Sequence, residues 1–70
     1  MDEAHAKRLI ETHLKSLSAA SGWTYIVVSS REHAESWAFG VQPLNADGQP
    51  SYDTHGFEVN KLTGEVRRWT

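Results

Sequence analysis

Four histidines, His5, His13, His33 and His55, are the residues of this chain best suited to hold a metal or move a proton near neutral pH. A helical zinc pair wants two histidines four apart with an acid nearby. His5 and His13 are eight apart. On a helix they share a face but stand roughly 12 Å apart along its axis, too far for one ion to bridge. His33 and His55 could meet only through the fold. The chain has no cysteine, which excludes a disulfide and a thiolate metal site. Serines are plentiful, but none stands in a Gly-x-Ser-x-Gly frame. No glycine-rich phosphate loop occurs. A pair of catalytic carboxylates would need a cleft, which a domain this small rarely makes. The expectation is therefore a protein without metal, cofactor or catalytic constellation.

The residue types that remain suit contact with another protein. Trp69 is penultimate and follows Arg67 and Arg68. Tryptophan and arginine are enriched at interaction hot spots. The competing expectation is that Trp69 folds back and closes the sheet. Tyr52, Asp53 and Asp47 belong to an irregular loop over 43–54 that could supply further contacts. The acids Glu32, Glu35, Asp47 and Asp53 form either a negative rim around the loops or a scattered solvated surface.

Seventy residues, with nine acids and seven bases, predict one domain, 1–70. The net charge of −2 predicts no nucleic-acid partner, which would want a basic stripe. The mixed signs on the first helix argue against a membrane-surface role. No apolar run approaches the roughly 18 residues of a membrane span. The acidic start Met1-Asp2-Glu3, with no apolar stretch after it, predicts no secretory signal and a cytoplasmic location.

The elements that must position these side chains follow from periodicity. Ala6, Leu9, Ile10, Leu14 and Leu17 recur at steps of three or four, which predicts a helix over about 2–20 with one buried face. Asp2 suits the N-cap and Gly22 the left-handed C-terminal position. A period of two then takes over, and strands are predicted over about 23–29, 35–42, 55–60 and 65–69. In the first, Trp23, Tyr25 and Val27 alternate with Thr24, Ile26 and Val28. Two apolar faces predict a central strand or a covered second face. In the second, Trp37, Phe39 and Val41 oppose Ser36, Ala38 and Gly40, small residues that would let the helix or a partner chain approach. In the last, Val66 and Arg68 oppose Arg67 and Trp69.

Pro43, Pro50 and Asn45-Ala46-Asp47-Gly48 predict a long hairpin with an irregular tip. The sharpest turn signal is Asn60-Lys61-Leu62-Thr63-Gly64. There Gly64 supplies positive φ and Asn60 bonds the turn backbone. The expected fold is α+β, one N-terminal helix packed on a three- to four-stranded antiparallel sheet, an α-β-β-β-β meander.

Two stretches carry a resemblance: Trp37-Ala38-Phe39, and Gly56-Phe57-Glu58-Val59-Asn60-Lys61-Leu62-Thr63-Gly64-Glu65-Val66. In this pattern the chain resembles the YrhB-like small bacterial immunity proteins. It is also similar to PepSY-type domains in its helix and closing hairpin. The first resemblance implies neutralisation of a toxin by binding, or a small chaperone role. The second implies protease modulation. Neither supplies catalytic residues. The expected partner is another protein, a toxin or enzyme, or a second copy in a self-associating assembly domain. A small-molecule or metal-dependent activity is the third possibility.

Overall fold

In the computed structural model, which describes residues 1–51 and 53–69, one helix lies on one face of a four-stranded antiparallel sheet. Helix α1 spans Glu3–Ser21. The Asp2 carboxylate caps it by accepting from the His5 N–H at 2.8 Å. Gly22, at φ 78°, closes it with its N–H on the Ser18 carbonyl. The helix buries Ala6, Ile10 and Leu14, the stripe its spacing predicts.

The strands are β1 (Thr24–Glu32), β2 (Ser36–Leu44), β3 (His55–Asn60) and β4 (Val66–Arg68), paired in chain order. Trp37, Phe39 and Val41 of β2 and Phe57 and Val59 of β3 meet the helix stripe in one buried cluster. Leu9, Leu17, Tyr25, Val27 and Val66 pack around it. Fully burying a side chain of this kind stabilises by about 1.5–3 kcal/mol, so these few residues supply most of the driving force. His13 meets Phe57 edge-on, with ring centroids 5.8 Å apart.

β1 differs from expectation in extent and place, and it carries a bulge. It runs on to Glu32, because Ser30, Arg31 and Glu32 pair with Phe39, Ala38 and Trp37. Ladder pairing outweighs the weak strand preference of these polar residues. The connection to β2 shrinks to 33–35, closed by the His33 N–H on the Ser36 carbonyl. A bulge at Val28 shifts the register, so Val27 opposes Val41 while Ser29 opposes Gly40. β1 is also an edge strand, neither central nor covered on its second face. Ile26 and Val28 are exposed.

The 60–64 turn forms as its residues dictate. The Asn60 side-chain oxygen accepts from the Leu62 and Thr63 N–H groups. Gly64 takes φ 75°. The β2–β3 hairpin has the expected irregular tip. The Asn45 side-chain oxygen accepts from the Asp47 and Gln49 N–H groups at 2.9 Å. Gly48 adopts φ 78°. No helix of the described residues is long and apolar enough to cross a membrane.

Candidate binding surface

The helix covers one face of the sheet and leaves the other open. Residues directly opposed in an antiparallel ladder project to the same side. The partners of the buried Phe39 and Phe57 therefore face the helix, and their neighbours face outward. Across the middle of the outer face the register sets Ser29 beside Gly40 and Gly40 beside Gly56. Beyond Gly56 stands Trp69, whose N–H donates to the Gly56 carbonyl at 2.9 Å and extends the ladder one residue past β4. The next row holds Arg31, Ala38, Glu58 and Arg67.

This arrangement makes a shallow trough of about 580 Å³. Ala38, Gly40 and Gly56 form its floor, Trp69 one wall, and Arg31 and His33 line the opposite side. Gly40 and Gly56 lower the sheet surface here, with Gly56 buried and the Ser29 hydroxyl lying against the Gly40 backbone. Trp69 keeps 57% of its surface in water, so it does not fold back into the core. Arg67 pairs with Glu58 on the same face. The helix touches none of this floor. Of the two occupants expected for the Ser36, Ala38 and Gly40 face, the helix is thereby eliminated.

The residues singled out from the sequence are only partly brought together. Trp69 and Arg67 share the outer face. Arg68 points to the helix side, where its guanidinium meets His55 Nδ1 at 2.5 Å. Asp47 sits in the hairpin tip and Asp53 in the limb that returns from it. Asp53 is held by its N–H on the Ser51 hydroxyl at 3.2 Å, and neither acid lines the trough. Tyr52 lies outside the described residues. Arg31, Gly56 and the bulged edge of β1 belong to the surface without having been singled out. Their role depends on register, which the alternation of residue types does not fix.

A second depression, at the other end of the outer face, is lined by Glu35, Ser36, Glu58, Asn60, Glu65 and Arg67. Its acids do not converge. Among the described residues no group of three or more histidine, aspartate or glutamate side chains is placed to hold a metal ion. The outer face presents the exposed Trp69 beside Gly40 and Gly56, with Arg31 and Arg67 in the next row.

Comparison with known protein families, with curated proteins and with solved structures found no match to this chain.

Proposed function

We propose that this chain is a non-enzymatic protein-binding module that neutralises a bacterial toxin or enzyme by covering its site, in the manner of an immunity protein or inhibitor. The observation that carries the proposal is the exposed Trp69 standing beside the floor of Gly40 and Gly56 on the sheet face opposite the helix. A rigid aromatic loses little conformational freedom on docking and brings a large apolar area. The floor beside it would receive an apolar projection of the partner. Arg31 at the margin would favour an acidic group beside that projection.

The test is co-production with the protein encoded beside this chain's gene, in a bacterial host that the neighbour harms. Rescue of growth by the chain, lost in a folded Trp69→Ala variant, is the expected result. A neighbour whose activity is indifferent to the chain would remove the immunity proposal.

The same face supports a second reading, a self-associating assembly domain, because a floor of small residues also suits close packing of two copies. Light scattering separates the two. A monomer at high micromolar concentration removes the assembly reading, and a dimer dispersed by Trp69→Ala favours it.

A further inference from the structure

We propose that the open edge of β1, from Thr24 to Val27, is a strand-addition site for an extended segment of a partner protein, one carrying two acidic side chains four residues apart with an apolar side chain midway between them. This surface is the strand edge, distinct from the outer face, and the inference stands whether or not the outer face covers a toxin.

The backbone at this edge is left open by its own ladder. Directly opposed residues in an antiparallel pair either exchange both hydrogen bonds or neither. Tyr25 opposes Pro43. Proline has no N–H, and the Pro43 carbonyl accepts from the Ser51 N–H at 2.9 Å, on the side away from β1. Tyr25 and Pro43 therefore exchange neither bond. The N–H and C=O of Tyr25 turn outward, and by the two-residue period so do those of Val27. No strand among the described residues lies beyond β1. Natural proteins shorten or charge such edges to prevent pairing. Here the first half of β1 is neither short nor charged. Trp23, Ile26 and Val28, along or beside it, are 39%, 42% and 55% exposed.

The side chains next to the edge specify more than an extended backbone. A groove of about 330 Å³ runs between α1 and β1. Leu14, Tyr25 and Val27 line its apolar part, and Lys7, Glu11 and Lys15 its helix rim. None of these three charged side chains forms an ion pair among the described residues. Lys7 and Lys15 are two turns apart, roughly 12 Å along the helix axis. On an added strand that span is about four residues, since the rise is about 3.4 Å per residue. Positions i, i+2 and i+4 of a strand face one side. A segment with acids at i and i+4 sets one carboxylate near each lysine. Its apolar residue at i+2 then enters the groove beside Glu11, where a third acid would be repelled.

The probe is an acetylated, amidated heptapeptide, Thr-Glu-Thr-Val-Thr-Glu-Thr, titrated into the isotope-labelled full chain and followed by amide NMR. Saturable shifts centred on Thr24 to Val27, with slowed exchange of the Tyr25 and Val27 amides, are expected. In antiparallel addition the valine N–H points at β1 and the neighbouring threonine N–H groups point away. N-methylation of the valine should therefore weaken binding about tenfold, while N-methylation of an adjacent threonine should leave it within about twofold. Replacing both glutamates by lysine should weaken it about fivefold, and the Lys7→Glu/Lys15→Glu variant should reverse that preference. Ile26→Lys, a change at an exposed position, should block addition in a chain that still folds. Equal binding of the two N-methylated peptides, shifts confined to the outer face, or no binding at millimolar peptide would overturn the proposal. So would a dimer dispersed by Ile26→Lys, which would assign the edge to a second copy.

Discussion

The ammonium group of Lys61 stands 5.6 Å from the centroid of the Trp37 ring. The same nitrogen bonds the Glu32 carboxylate at 2.7 Å. One side chain from the β3–β4 turn thus reaches across β2 to the far end of β1. It closes the sheet end over Trp37, whose indole N–H donates to the Met1 carbonyl at 3.2 Å. The bulge at Val28 makes this possible, because it sets Glu32 on the helix side opposite Trp37.

Replacing Lys61 by methionine keeps the apolar stem and removes both electrostatic contacts. The Glu32 side chain is 58% exposed, so the ion pair is screened and contributes little. The contact with the largely buried Trp37 ring contributes more per charge. Together the loss is expected to be about 1 kcal/mol, read as a lower urea midpoint with an unchanged slope. Lys61→Arg should recover most of it. Repeating the comparison in 1 M salt should shrink the difference without abolishing it, since only the exposed pair is strongly screened. A Lys61→Met midpoint equal to that of the parent would show that the geometry contributes nothing.

Gly64→Ala and Gly22→Ala form a matched pair. Both glycines hold positive φ, 75° and 78°. An alanine in that region costs on the order of 1 kcal/mol through its backbone alone. A methyl on Gly22 would meet nothing within 4 Å, and one on Gly64 would meet Leu9 Cδ1 at an ordinary 3.5 Å. The two substitutions are therefore expected to destabilise by the same amount, within about 0.5 kcal/mol, in parallel urea titrations. A much larger effect at Gly64 would mean that the turn is held by its packing on α1 rather than by backbone conformation.

These two turns were legible in the sequence because their chemistry is local. Gly22, Asn60 and Gly64 act through residues within five positions of themselves. The helix was legible for a similar reason, since Ala6, Ile10 and Leu14 declare a face without reference to the sheet. The place of β1 was not. Apolar residues on both of its faces read the same whether a strand is central or is an edge left uncovered. Only the pairing of Thr24 to Glu32 with β2 alone decides between them. The candidate surface was half legible. Alternation puts Trp69 and Arg67 on one side and Arg68 on the other. The low floor beside Trp69 arises from Gly40 and Gly56 falling side by side, 16 positions apart, and nothing local announces that register.

Ser29 and Gly40 are coupled across the β1–β2 ladder. A Cβ on Gly40 would collide with the Ser29 hydroxyl, the end of a flexible side chain. Gly40→Ala should therefore force a new Ser29 rotamer at a cost of about 0.5–1 kcal/mol, partly offset by the better strand propensity of alanine. In a Ser29→Ala background that cost should largely vanish, because the oxygen that must move is gone. A double-mutant cycle in urea should return a coupling of about 0.5 kcal/mol or more. Strict additivity would show that the floor accommodates a methyl without displacing Ser29, and the trough would then not depend on glycine at this position.

Trp69 should report occupancy of the outer face by its own fluorescence. The three tryptophans differ in access: Trp37 is 9% exposed, Trp23 39% and Trp69 57%. Collisional quenching by acrylamide should fall in Trp69→Phe and rise in Trp37→Phe. Trp69→Phe should also change stability by no more than about 0.5 kcal/mol, because the anchoring bond to the Gly56 carbonyl comes from the backbone N–H and survives the change. A partner that docks on the trough must bury this ring, so its binding should lower quenching in the parent and leave quenching unchanged in Trp69→Phe. A partner bound only along the β1 edge should instead shield Trp23, and the Trp23→Phe variant would lose the response. Binding that protects neither ring would place the contact elsewhere and remove Trp69 from the surface that matters.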